Sequence, residues 1–168
     1  DWLNKIMAGT IPKPNRLTLN PMLSPKGRII GDFTVTCLKD EEFQLTASYG
    51  SQEYHLRWFL LNQKNGVNIE NISDKVNGFQ IAGPNSRKLL QKVTDFSLEN
   101  FKFRDAHTIL VGSIPCLVQR VSYTGDLGFE IYCSQDKQFN LWEILWSAGT
   151  EFDIKPFGMR AMMSLRLD

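Results

Sequence analysis

A chain of 168 residues is long enough for one domain with its own core, and a formal net charge of +1 offers no basic field for nucleic acid or an anionic membrane. Its purely apolar stretches run for only a few residues, too short for a membrane-spanning helix. The three cysteines, Cys37, Cys116 and Cys133, lack CxxC spacing and read as buried thiols of a reducing compartment, not as disulfides or a zinc site.

In chain order, Leu3 to Met7 predict a short amphipathic helix closed by Gly9. "RLTLNPML" reads as a strand, and "SPKG" as a turn with Pro and Gly where turns want them. "RIIGDFTVTCL" follows as the strongest strand, with Ile29, Phe33, Val35 and Cys37 expected on one face. "KDEE" is a polar turn and "FQLTA" a third strand, which together give an antiparallel meander. From Ser51 to Asn62 the period changes: Tyr54, Trp58 and Leu61 recur at helical spacing and predict the buried stripe of a helix. "VNIEN" and "GFQIAG" are expected as short strands. Pro84 sits where helices start, before "NSRKLLQKV". "TILVG" and "IPCLVQRVSY" predict a hairpin through Gly112-Ser113, and "FEIYC" another strand. A helix from Lys137 to Ala148 is expected to bury Phe139, Trp142 and Leu145. The sum is an α+β fold with helices packed on antiparallel sheets, in a single domain spanning 1–168. The opening "DWLNKIMAG" has neither the basic start nor the apolar centre of a secretory signal. Both ends look helical without the usual end signals, so the domain is expected to be incomplete and truncated at both ends, with apolar surface that favours self-association.

The motif inventory is short. There is no G-x-G-x-x-G and no P-loop; Gly125 and Gly128 after a strand are too little for a dinucleotide loop. His55 and His107 lie far apart with no metal-ligand spacing, and each reads as a surface or half-buried histidine. No Ser/His/Asp order or nucleophile elbow is present. What remains is Asp32 in "RIIGDFTV" and Glu130 in "VSYTGDLGFEIYC". By alternation Asp32 lies opposite Phe33 and Val35, and Glu130 opposite Phe129, Ile131 and Cys133. Taken as residues alone, each carboxylate is adequately explained by a solvated strand face, and Tyr123 before the turn by simple packing.

The segments "NPMLSPKGRIIGDFTV", "FQIAGPNSRKLLQKV", "VSYTGDLGFEIY" and "PFGMRAMMSLRLD", in that order, resemble the folate-binding aminomethyltransferase family, which includes the glycine cleavage T-protein. "AGTIPK", "SPKGR" and "SYTGDLGFEIY" are most similar to the C-terminal folate domain of dimethylglycine and sarcosine dehydrogenases. The resemblance implies an aminomethyltransferase-like fold. It also implies that tetrahydrofolate is bound and accepts a carbon from an oxidised N-methyl amine to give 5,10-methylenetetrahydrofolate. The partners implied are folate, a small methylated amine, and a flavin domain of the same parent chain, with FAD confined to that domain. The location implied is cytoplasmic, or the mitochondrial matrix in a eukaryote. Carried over position by position, Glu130 takes the two adjacent N–H donors of the pterin edge, an orienting charge-assisted pairing. Tyr123 lines the pterin pocket, Gly125 and Gly128 let the loop approach the ligand, and Asp32 assists at the reactive folate nitrogens. The strands carrying Asp32 and Glu130 are then expected to face one concave pocket. Departures from the T-protein pattern are Asp126 for the first glutamate of the loop, Gly31 for an aspartate, and Met162 for an arginine near the folate tail, with Arg160 two residues earlier. Two other readings stay open: a module that binds folate without transfer, and one that only docks against a larger flavoprotein.

Overall fold

Apolar alternation over Arg16–Leu23 (β1), Ile29–Lys39 (β2) and Glu42–Thr46 (β3) builds the first sheet. The structure is a computed structural model that describes residues 2–167. It pairs these strands in the order β1-β2-β3, antiparallel throughout, as the meander predicts. Trp2–Ile6 (α1) and Gln52–Leu61 (α2) complete a unit spanning Asp1–Asp74. Its core joins Leu3, Met7, Met22, Phe33, Val35 and Phe59.

Three expectations change here. The β1–β2 register shifts between Met22 and Leu23, so that Gly31 faces Met22 while Ile29 faces Leu23. Ile30 is the extra residue of this bulge, and Ile29 is turned out, 73% exposed, instead of sharing the face of Phe33. In α2 the buried residues are His55 and Phe59, whereas Tyr54 and Leu61 are exposed. The helix is apolar on most of its circumference, so period alone does not select the inward stripe; Gly31 selects it. A Cβ there would lie 2.6 Å from His55 Nε2, so the bare glycine leaves a slot that the imidazole fills, 4.7 Å from the Phe33 ring. His55 is therefore a core residue, neither a surface nor a half-buried one. "VNIEN" forms no strand; Ile69 packs on the first core without a sheet neighbour to bond to.

The second unit, Lys75–Asp168, holds a sheet of Val76–Ala82 (β4), Ala106–Val111 (β5), Ile114–Gln119 (β6) and Gly128–Ser134 (β7) in the order β4-β7-β6-β5. The β5–β6 hairpin turns through Gly112 and Ser113 as expected. Gly112 takes φ 58°, the left-handed conformation such two-residue turns demand. The strand "IPCLVQRVSY" is shorter than expected: regular pairing ends at Gln119, and Arg120 still exchanges backbone bonds with Asp105 and Arg104, where Arg104 takes φ 69°. Ser86–Gln91 (α3) and Gln138–Gly149 (α4) cover the apolar face of this sheet. Leu90, Leu141, Phe129 and Ile131 are fully buried there, each contributing about 1.5–3 kcal/mol by burial. In α4 the inward stripe is Leu141, Leu145 and Gly149; Phe139 is 69% exposed and Trp142 lies at the rim, stacked on Trp146. Met159–Leu165 (α5) closes the described chain and buries none of its residues. All three cysteines are free and buried. Among the described residues no helix is long and apolar enough to cross a membrane.

Candidate functional site

Strand β7 is central in its sheet, and alternation sends Phe129, Ile131 and Cys133 into the core. Glu130 and Tyr132 project from the other face. The registers place Gln80 of β4 on one side of Glu130 and Gln119 of β6 on the other. Glu130 is half-buried, and its Oε2 accepts a 2.7 Å hydrogen bond from the Tyr132 hydroxyl. Burial raises the Glu130 pKa, opposed by that hydrogen bond, which favours the ionised form. The Tyr132 ring is itself held in place: it lies over Gly78, where a Cβ would come within 2.7 Å of it. A carboxylate offers about four acceptor positions. Tyr132 uses one of them and fixes the plane of the rest. The result is an oriented, partly dry acceptor with further acceptor positions beyond the one Tyr132 uses.

The loop before β7 carries Tyr123, which is half-buried. Its hydroxyl donates to Met163 Sδ at 3.2 Å, its carbonyl accepts from Arg166 Nη1 at 2.9 Å, and the Arg166 guanidinium carbon lies 4.2 Å from the ring centroid. Beside it, Ser122 accepts from Gln80 Nε2 at 3.2 Å and shares a 3.1 Å hydroxyl contact with Thr124, which donates on to Asp126. Gln80 thus links the loop to the strand level of Glu130. The two loop glycines do different jobs. Gly125 has φ 83° and open space around it, so it supplies the turn. Gly128 is buried, with Ile81 O only 2.8 Å from the site of a Cβ; its smallness serves packing of β7 on β4 rather than approach to a ligand.

Asp32 belongs to the first unit. It is exposed on β2, opposite Pro21 of β1, on the face that carries Leu19 and Thr34 and away from Phe33 and Val35. The Ile30 bulge lies just before it, a common device for aiming a side chain next to a site. Of the residues set near the folate tail, Met162 is half-buried on α5 and Arg160 is exposed. Two open hollows, one beside α2 and one beside Lys92–Phe96, include none of Asp32, Tyr123 or Glu130.

Sequence reasoning singles out Glu130 and Tyr123, but not the residues the structure places around them, Gln80, Gln119, Met163 and Arg166. The glutamines become visible only through cross-strand register, and Met163 and Arg166 only through the return of α5 onto the loop, about forty residues along the chain.

The profile of the GCVT N-terminal domain matches residues 1–168. Mitochondrial dimethylglycine dehydrogenase of Homo sapiens is 38% identical over 99% of this chain, which spans 20% of that protein. An aminomethyltransferase of Halothermothrix orenii is 32% identical over 99% of this chain, which spans 47% of it. Among solved structures, the glycine cleavage system aminomethyltransferase T of Bartonella henselae superposes with a TM-score of 0.81 at 20% identity, covering 99% of this chain and 44% of that one. Heterotetrameric sarcosine oxidase from Corynebacterium gives a TM-score of 0.64 at 19% identity, covering 88% of this chain and 72% of that one. The fold is therefore that of the aminomethyltransferases. The chain spans about a fifth of the dehydrogenases and about half of the aminomethyltransferases it matches.

Proposed function

The chain belongs to the GCVT N-terminal domain family, and on that footing we propose that it is part of a tetrahydrofolate-binding domain that accepts a one-carbon unit from an oxidised N-methyl amine. The observation that carries this reading is Glu130, a half-buried carboxylate with a raised pKa, oriented by Tyr132 on the face of a central strand turned away from the apolar core. Such a group is costly to a sheet and suited to a planar heterocycle edge with two adjacent N–H donors, as in a pterin. Tyr123 gives that heterocycle an aromatic wall.

In this reading tetrahydrofolate is the acceptor substrate, and the carbon arrives as the methylene iminium of oxidised sarcosine or dimethylglycine, made in a flavin domain outside this chain. Two folate nitrogens each exchange an N–H bond for a bond to the methylene carbon, and the carbon–nitrogen bond to the amine breaks. One proton leaves on the freed amine. Asp32, exposed on β2, is assigned the other, as general base or as stabiliser of charge developing on nitrogen. The product is 5,10-methylenetetrahydrofolate. The location that goes with this reading is cytoplasmic, or the mitochondrial matrix in a eukaryote, and the mitochondrial relative supports the latter.

The test is calorimetric titration of the intact parent protein with tetrahydrofolate, with single-turnover transfer measured alongside. Saturable binding that weakens in Glu130→Gln supports the reading. Binding unaffected by Glu130→Gln, or no binding by the intact parent, refutes it. Binding without transfer would leave a folate-holding module.

A further inference from the structure

The helix α5 buries no residue, yet the helix and its C-terminal cap place two side chains one turn apart, Met163 and Arg166, on a single tyrosine. From this we infer that Arg166 is a positioning residue for Tyr123, a role that rests on the proposed pterin site and adds its orienting element.

The contacts divide the work. The planar guanidinium lies 4.2 Å from the Tyr123 ring centroid, a stacking contact that fixes the plane of the ring. From the same group, Nη1 donates to the Tyr123 carbonyl at 2.9 Å and pins the backbone at the start of the turn. Met163 Sδ accepts a hydrogen bond from the Tyr123 hydroxyl at 3.2 Å, which fixes the far end of the ring. The other end of the turn is held as firmly. The Leu127 carbonyl accepts from Gly83 N at 2.8 Å and from Ser86 Oγ at 3.0 Å. The segment Thr124–Asp126 therefore spans two clamps, one from "GPNS" at the start of α3 and one from "SLR" at the end of α5. Between them Gly125 turns at φ 83°, and the Ser122–Thr124–Asp126 hydroxyl and carboxylate contacts complete the loop. Three of the four segments that mark this family thus meet on one five-residue turn, and Arg166 supplies the clamp that reaches the ring.

Lysine cannot substitute. It keeps the charge but loses both the flat stacking face and the second N–H that lets one group hold ring and carbonyl together. The loss expected for Arg166→Leu is about five- to twenty-fold in tetrahydrofolate affinity, from an exposed cation–π contact and one charge-assisted hydrogen bond. Arg166→Lys should recover little of it.

Two measurements on the intact parent protein test the role. The first places a single 3-fluorotyrosine at position 123 and records its 19F resonance in wild type, Arg166→Leu and Arg166→Lys, with no ligand present. The clamp predicts a shifted, narrower signal in both variants, at a melting temperature within a few degrees of wild type. An unchanged resonance in Arg166→Leu overturns the proposal, whatever the ligand. The second is tetrahydrofolate calorimetry on the same proteins. Wild-type affinity in Arg166→Leu also overturns it, whereas loss in both variants supports it. If the wild-type parent binds no tetrahydrofolate, the pterin reading fails while the 19F comparison still decides the clamp. Should Arg166→Leu fail to fold, Arg166→Gln, which keeps a donor for the Tyr123 carbonyl without the stacking cation, replaces it in both measurements.

Discussion

Replacing Glu130 by glutamine separates the ligand role of this carboxylate from a structural one. The substitution preserves size. The amide oxygen can still accept the 2.7 Å bond from Tyr132, so the ring over Gly78 and the plane of the group are retained. What changes is the side presented to a ligand. One charged acceptor becomes an NH2 that opposes an incoming N–H donor. Hydrogen bonds to charged groups contribute roughly 1.5–3 kcal/mol, so tetrahydrofolate affinity of the intact parent protein should fall about tenfold to a hundredfold. Stability without ligand should behave differently. Burial raises the folded pKa of Glu130. Between the ordinary glutamate range and that raised value, the folded protein holds a proton the unfolded chain has released. Its contribution to stability is therefore lost as pH rises through that window. At neutral pH the residue is a net cost, and Glu130→Gln should leave the melting temperature unchanged or raise it. Calorimetry and thermal unfolding on the same samples check both halves. A variant that binds like wild type, or one that unfolds far more easily, would show that Glu130 serves the sheet and not a ligand.

Further outcomes follow from neighbouring contacts. Tyr132→Phe removes the one hydrogen bond that favours ionisation of Glu130, so the pH at which tetrahydrofolate binding is half-lost on acidification should move upward; titrations across pH 5–8 read this, and an unmoved midpoint refutes the coupling. Asp32→Asn, at an exposed position, should change stability by no more than about 0.5 kcal/mol and affinity little, while slowing single-turnover transfer; equal transfer rates would remove Asp32 from the chemistry. Gly31→Ala puts a Cβ 2.6 Å from both His55 Nε2 and Phe33 Cε2 and should destabilise by about 1–3 kcal/mol through overpacking. Adding His55→Ala should recover part of that loss, and denaturant unfolding of the single and double variants shows whether it does.

The strands were legible because alternation is local: β1, β2 and β7 appear in the sequence within a residue or two of their ends, and the inward face of β7 is the expected one. The helices placed well but faced badly. In α2, Tyr54, Trp58 and Leu61 fit a helical stripe as well as His55 and Phe59 do, and the choice rests on a glycine more than twenty residues upstream. In α4, Phe139 fits the period but Leu141 and Leu145 meet the sheet. Residue 29 escaped because a bulge resets alternation, and nothing in "RIIGD" marks which isoleucine is extra. The same limit applies to the site. "YTGDLGFE" exposes Tyr123 and Glu130 in one short segment, whereas Gln80, Gln119 and Arg166 reach that region only through sheet register and the return of a distant helix.

The electrostatics of Glu130 favour one kind of ligand over another. A carboxylate kept in a sheet for structural reasons is normally paired with a cation, since an uncompensated buried charge is expensive. Here the causes acting on its pKa are burial and the neutral Tyr132 hydroxyl, with no neighbouring cation among them. The flanking positions on β4 and β6 are glutamines, which polarise the surroundings without neutralising the charge. Such a group is left to be satisfied by donors from outside. A cationic ligand would be drawn to it but would not need its fixed plane. A neutral edge with two parallel N–H groups needs both the charge and the plane, and Tyr132 supplies the plane. A pterin has that edge. Binding should then discharge the cost of burial by stabilising the ionised form, so tetrahydrofolate binding near the Glu130 pKa should release protons. Calorimetry in buffers of different ionisation enthalpy measures that release, and its absence in Glu130→Gln would assign it to this carboxylate.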